Sequence, residues 1–494
     1  MDKLQQEVVP ILILCAVIAF VVSRLPRVDL GHTRAFRRRR VANWLPLGLT
    51  YAFLYMGRYN LVGLLTAKLI TGKEFGEIDA VGSLVYGVAF LLNGPLCDRW
   101  GGRTTILISA SGAAVCNAVI GLMINATGAP PSFHTLMGLF ALNMYFQSFG
   151  AVSIVKVNAA WFHLRERGTF GGIFGILISL GLYLAFDWAP NIAAMTSLAW
   201  LFLAPAVILV VFFVLSFLFV RNSPAEAGLA DFDVADASSG ETGPPDPALV
   251  IIKRMLTSKI ILIISLISLC SGFLRQGILK WYRTFADAVH IKDTFVYAHW
   301  GMVSCIAGIT GGIFAGVVSD QLFKSRRPPV STVLFTLLLA GSVAIVPLLA
   351  TPAAVSWVIA GMAVAVIGVH GMLSGVASQD FGGRRNAGTA TGMIDGFVYL
   401  GTALQGFVYG NVLPEAKITV NGQAVVNPDY SDLGHWHAWP LAMIPVAVVG
   451  LALSISIWNA RVKPNTATAA PVLPDAKAPP AAALPTATLH QEKT

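Results

Sequence analysis

Charge is what this chain has least of. Only 12% of its 494 residues are Asp, Glu, Lys or Arg, against about 25% in soluble domains. That excludes an ordinary water-soluble domain. A mean hydropathy of +0.70 and repeated apolar runs of about 20 residues make the chain a polytopic helical membrane protein, all-α in class. Strand-length alternation of polar and apolar residues is missing, which excludes an outer-membrane barrel. Cysteine is also scarce. Cys15, Cys97, Cys116, Cys270 and Cys305 all lie in apolar segments, none in CxxC spacing, so neither a disulfide framework nor a zinc site is expected. No P-loop, HExxH or GxSxG stands in a suitable context, which points away from an enzyme, and neither cofactor nor metal is expected. Kinase, receiver and DNA-binding segments are missing too.

What the chain does have is a series of apolar spans. The first, Val8–Ser23, is followed by Arg24, Arg27 and Arg37–Arg40 with no small-residue cleavage site. It reads as an uncleaved helix, with a re-entrant or interfacial segment as the alternative. Twelve further spans are expected near 43–67, 80–97, 104–125, 134–161, 169–188, 197–220, 260–285, 296–319, 330–350, 354–377, 389–410 and 437–458. The organisation that follows is an extra helix and basic segment (1–40), a six-helix bundle (41–220), a flexible linker (221–258), a second six-helix bundle (259–460) and a disordered Ala/Pro-rich tail (461–494).

The net charge of +9 is dispersed among loops, as the positive-inside rule requires and nucleic-acid binding does not. Arg99, Arg103, Arg165, Arg167, Lys253, Arg254, Lys324, Arg326, Arg327, Arg384 and Arg385 all fall in loops assigned to the cytoplasm. The long loop Val412–Trp436, assigned outside, has only Lys417. The expected location is the cytoplasmic (inner) membrane, with the N-terminus outside and the C-terminus cytoplasmic. The Asn125-Ala126-Thr127 sequon carries no weight, since short sequons arise by chance.

Two arginines interrupt this apolar pattern. Arg58 lies within Leu45–Leu65 and Arg275 within Ile260–Phe285. An arginine at the bilayer centre costs about 2.5–3.5 kcal/mol on insertion scales, so each marks a functional site that faces an aqueous cavity. They occupy corresponding places, one early in each half. That suggests an anionic ligand held between two repeats.

Two loops also correspond. Gly94-Pro95-Leu96-Cys97-Asp98-Arg99-Trp100-Gly101-Gly102-Arg103 and Gly312–Asp320, followed by QLFKSRR with Arg326, each place an Asp at a helix end with basic residues beyond it. Both fall between spans two and three of a half, and Asp and Arg there are expected to pair. This resembles the doubled signature loop of the major facilitator superfamily, in which these loops act as gates. The resemblance implies the major facilitator fold, two six-helix bundles related by a pseudo-twofold axis.

A narrower resemblance covers about 43–458. Tyr51, Tyr55 and Arg58 are similar to the first helix of the organophosphate:phosphate antiporters. Phe146-Gln147 through Trp161 to Glu166-Arg167-Gly168 resembles that family's fourth span. Asn222 through Leu229, Leu274-Arg275-Gln276-Gly277 through Trp281, and Ala387 through Gly401 resemble three further segments in order. The resemblance implies that Arg58 and Arg275 clamp a phosphate while Tyr51, Tyr55, Tyr86 and Tyr399 line the cavity. Guanidinium forks suit the oxygens of a phosphate monoester.

The departures concern the organic group. Tyr59 and Phe90 stand where the family has lysines, and Ile178-Ser179 where one branch has a histidine. Lys156 replaces an arginine. Lys280 either restores positive charge to the cavity or snorkels outward beside Trp281 and Tyr282, although its azimuth is about 140° from Arg275. His370 and Asp395 are candidate ionisable cavity residues.

The leading expectation is an antiporter exchanging an organic phosphate ester, glycerol-3-phosphate or a sugar phosphate, for inorganic phosphate. The expected partners are that small anionic substrate, inorganic phosphate and the lipid bilayer, with no nucleic acid, the chain working as a monomer. Two alternatives stay open: a proton-coupled carrier of another organic anion, and a membrane sensor of sugar phosphate.

Overall fold

The computed structural model describes residue 16 and residues 32–459, except 164–165, 293, 319–321, 324–326, 374–377, 421–422 and most of 233–255. The expected helix Val8–Ser23 apart from residue 16, the tail 461–494 and the second-loop residues Asp320 and Arg326 lie outside these described residues.

Among the described residues, twelve long helices follow one another. They are α1 (Arg34–Thr66), α2 (Gly72–Trp100), α3 (Gly102–Thr127), α4 (Phe133–Trp161), α5 (Arg167–Tyr183) and α6 (Trp200–Phe219). After the linker come α7 (Lys259–Ala288), α8 (Trp300–Val317), α9 (Arg327–Leu348), α10 (Pro352–His370), α11 (Ser378–Val412) and α12 (Ala438–Ser456). Each matches one expected span, and nine candidate spans among the described residues are long and apolar enough to cross a membrane.

Local chemistry sets several boundaries. Thr33 caps α1 by accepting from Phe36 N at 3.1 Å. Thr71 and Glu74 form a reciprocal capping box at the start of α2, satisfying two otherwise unpaired N–H groups. Gly101 separates α2 from α3 at φ +84°. Helix α5 passes through a π-helical turn, Leu184–Trp188, into a short helix, Ala189–Met195. Such a turn shifts the azimuth of everything after it.

In the packing, α1 lies on α5 and α6, α3 on α4 and α6, α8 on α10, and α9 on α12. Between the first six helices and the last six, the main contacts are α2 with α11 and α5 with α8. Helices α7 and α11 approach so closely that a Cβ on Gly401 would overlap the Leu269 carbonyl. Small residues allow such approach where lipid supplies no hydrophobic drive.

The loop after α11 departs from expectation. It holds an antiparallel hairpin, β1 (Lys417–Val420) with β2 (Gln423–Val426), and two short 3₁₀ turns. Two short β-branched runs flank Asn421-Gly422, a strong hairpin signal that span counting passes over.

Candidate functional site

Tyr51, Tyr55 and Tyr59 recur every four residues on α1, so they share one face, and Arg58 lies three residues beyond Tyr55. Arg58 is 4% exposed and Arg275 3%. Every nitrogen of the Arg58 guanidinium makes a hydrogen bond. Its Nε donates to Gln147 Oε1 at 3.0 Å, Nη1 to the Tyr399 hydroxyl at 2.5 Å and Nη2 to the Tyr86 hydroxyl at 2.8 Å. It also lies 4.5 Å from the Tyr55 ring and 4.7 Å from the Tyr86 ring, where ring quadrupoles attract a cation. Helices α1, α2, α4 and α11 thus build its surroundings.

Arg275 is different. Its Nε and Nη2 are buried without a hydrogen-bond partner among the described residues. Its guanidinium lies 5.9 Å from the Tyr399 ring. Tyr399 therefore lies near both arginines, bonded to one and with its ring 5.9 Å from the other. Tyr59 reaches from α1 to α7, its hydroxyl 2.9 Å from Gln276 Nε2. His370, at the end of α10, is buried within electrostatic range of both guanidiniums. Asp395 is buried one turn before Tyr399 on α11, and Tyr51 is buried beside Tyr55 at 5.4 Å.

One expected site residue, Lys156, is placed elsewhere, and a second, Lys280, is paired. Lys156 bonds Asp98 at 2.8 Å, about two and a half turns along α4 from Gln147, and so belongs to the signature loop. Lys280 neither snorkels nor stands free in a cavity. Its Nζ lies 2.5 Å from Asp79 Oδ1, both side chains buried, and 5.5 Å over the Tyr59 ring. Trp281 and Tyr282 are buried rather than interfacial. The helix α7 turns Lys280 toward α2, and Asp79 is there to receive it.

The expected Asp–Arg pairing in the first signature loop also gives way. Asp98 accepts from Gly388 N at 3.1 Å, Thr389 N at 2.9 Å and Thr389 Oγ1 at 2.8 Å, tying α2 to α11. Arg103 instead donates to the Phe217 carbonyl at 2.8 Å, and Arg99 is exposed.

At the opposite end of the helices, other groups join the two halves. Asp187, carried by the π turn, accepts from Gly301 N at 2.8 Å and Met302 N at 2.9 Å, and lies 3.5 Å from Arg283 Nη2. Lys68 bonds Asp287 at 3.0 Å, and Lys292, just beyond α7, also pairs with Asp287. That hydrogen bond pushes Lys292 above the usual lysine range.

The residues missed at the sequence level are Asp79, Asp187, Arg283, Gln147 and Gln276 as partners. An ionisable residue inside a span is itself a signal. Asp79 escaped because span two was drawn from 80, whereas α2 begins at Gly72. Chemically, the arrangement suits a tetrahedral oxyanion: one buried guanidinium with open donors, a second held in place, and phenol hydroxyls beside them. Among the described residues no three His, Cys, Asp or Glu come together as metal ligands do.

Comparison with known proteins places the chain in a family. The family model of the Major Facilitator Superfamily matches residues 47–406. A glycerol-3-phosphate transporter of Bacillus subtilis is 26% identical over 76% of this chain and 87% of its own length. A probable hexose phosphate transport protein of Chlamydia trachomatis is 23% identical over 86% of this chain and 92% of its own. The membrane sensor protein UhpC of Salmonella typhimurium is 25% identical over 75% of this chain and 84% of its own. Among solved structures, a bacterial homologue of the human lysosomal transporter Spinster superposes with a TM-score of 0.58 at 13% identity, over 86% of this chain and 97% of that one. The chain is a multi-pass membrane protein that belongs to the Major Facilitator Superfamily, and its relatives support the organophosphate:phosphate antiporter type within that superfamily.

Proposed function

We propose that this protein exchanges an organic phosphate ester, glycerol-3-phosphate or a sugar phosphate, for inorganic phosphate by alternating access. The observation that carries the reading is Arg275, buried with Nε and Nη2 unpaired among the described residues, with Tyr399 close to both it and Arg58. A phosphate monoester bears a charge of about −1.5 to −2 at neutral pH. It balances two guanidiniums that share a low-dielectric site.

That balance gives a physical reason for exchange. An empty carrier that reoriented would carry two uncompensated cations through the closed state, and a buried unpaired charge is costly. With phosphate or its ester bound, the charges cancel and the two halves can rock. Arg275 supplies open donors to the phosphate oxygens. The Tyr399 hydroxyl yields its place on Arg58 to a phosphate oxygen, so binding changes the contact between α1 and α11. Tyr51, Tyr55 and Tyr86 add hydroxyl or ring contacts.

The two ends supply the gates. Asp98 with Thr389 and Lys156 closes the basic end, which we assign to the cytoplasm together with the C-terminus. Lys68–Asp287 and Arg283–Asp187 close the opposite end. The first six helices, 41–220, and the last six, 259–460, are the rocking units, and a single chain suffices. His370 and Asp395 border the site as ionisable groups.

The relative named as a membrane sensor supports a second reading, binding without transport. Purified protein in proteoliposomes loaded with inorganic phosphate separates them. Labelled phosphate uptake, competed by a panel of phosphate esters, is expected, with one ester class competing best. Esters that bind the purified protein while no uptake occurs support the sensor.

A further inference from the structure

A chain of buried amides leads from Arg58 into the packed interior of the first six helices. Gln147 takes the Arg58 Nε–H on its Oε1 at 3.0 Å and donates from Nε2 to Asn143 Oδ1 at 3.0 Å. The same Asn143 oxygen accepts from Asn117 Nδ2 at 3.1 Å. Asn117 Oδ1 accepts from Asn60 Nδ2 at 2.6 Å. None of the four amide side chains is more than 1% exposed, and they come from α1, α3 and α4.

The direction of this chain is set. A carboxamide side chain fits either way round unless its neighbours decide which end is donor and which acceptor. Here two backbone carbonyls decide, because a carbonyl can only accept. Asn143 Nδ2 donates to the Gly57 carbonyl at 3.0 Å, and Asn117 Nδ2 to the Ala113 carbonyl at 2.8 Å. Asn143 therefore has only its oxygen to offer Gln147. Gln147 must present its amine to Asn143 and its oxygen to Arg58. Reversed, it would set an amine against the guanidinium and oxygen against oxygen. Gly57 makes room for the arrangement: a Cβ there would lie 2.9 Å from Asn117 Nδ2.

We propose that Asn143, backed by Asn117 and Asn60, is a positioning residue of the anion site: it orients Gln147 so that Arg58 always meets an acceptor. The inference rests on Arg58 being part of the phosphate site. It makes the two arginines unequal. Arg58 is held in advance by a network rooted in backbone carbonyls, while Arg275 keeps unpaired donors for the ligand. Preorganised supporting groups of this kind determine how well a site is formed before its ligand arrives.

The test uses the full chain in proteoliposomes. Asn143→Leu keeps the branching at Cγ, adds volume, and removes both the acceptor and the donor to the Gly57 carbonyl. Its apparent KM for inorganic phosphate in phosphate–phosphate exchange is expected to rise about tenfold, or about 1.4 kcal/mol, with kcat little changed. In a Gln147→Leu background the same substitution should add no further rise, because Asn143 acts through Gln147. A purely structural role predicts losses that add in the two backgrounds, and that result overturns the proposal. A second readout needs no substrate. Phenylglyoxal labelling of Arg58, followed by mass spectrometry, should quicken in Asn143→Leu and Gln147→Leu alike; unchanged labelling in Asn143→Leu overturns the proposal. Asn143→Ala, which leaves space for water beside Asn117, replaces the leucine variant if that does not fold. A wild type that exchanges no phosphate defeats the substrate assignment, and the labelling arm still decides the role of Asn143.

Discussion

Asp79→Asn leaves the Lys280 ammonium buried without its carboxylate. The pair lies 2.5 Å apart, with side-chain exposures of 2% and 6%, and joins α2 to α7 across the two halves. Water cannot reach either charge to replace the lost partner. Breaking such a buried pair from one side costs about 3–5 kcal/mol. A screened Coulomb estimate agrees: about 4 kcal/mol for unit charges about 4 Å apart at an effective dielectric constant of about 20. Lys280→Gln should cost a similar amount, since it strands Asp79 instead. The double variant Asp79→Leu/Lys280→Met removes both charges and keeps apolar volume, so it should recover most of the loss. The assay follows from the core. Cys97, Cys116, Cys270 and Cys305 are buried, so a thiol-reactive fluorophore reports unfolding during a detergent titration. Single variants within about 1 kcal/mol of wild type would refute the buried-pair reasoning. So would a double variant less stable than either single one.

Two further outcomes follow from the geometry. Arg58→Lys and Arg275→Lys should each nearly abolish phosphate exchange at normal expression, because lysine keeps the charge and loses the planar fork; near-normal exchange in both would remove the clamp. Gly401→Val should sharply lower the yield of folded protein in detergent size-exclusion chromatography, since its side chain collides with the Leu269 carbonyl; a normal profile would contradict the α7–α11 packing.

The helices were legible in the sequence because a bilayer imposes apolar runs of a length that few other constraints produce. The two arginines were legible for the complementary reason, that charge within such a run needs a function. What the runs do not encode is partner and azimuth. Lys156 and Asp98 are far apart in sequence, and only the packing of α4 against α2 brings them to 2.8 Å. Helix geometry set Lys280 about 140° from Arg275 and left two destinations open, and its actual partner, Asp79, stood one residue outside the span as drawn. The π turn at Leu184–Trp188 leaves no mark in hydropathy, and it aims Asp187 at the α8 amides. The orientation of Gln147 is a property of three helices and two carbonyls, which no linear pattern carries.

The central claim is that inorganic phosphate crosses only by exchange at the Arg58–Arg275 site. Its most direct test is labelled phosphate uptake into proteoliposomes with and without internal phosphate, at equal pH on both sides. The account predicts rapid saturable uptake into phosphate-loaded vesicles, almost none into empty ones, and little response to an imposed proton gradient. Equal uptake into both, or uptake that only a proton gradient drives, would contradict it.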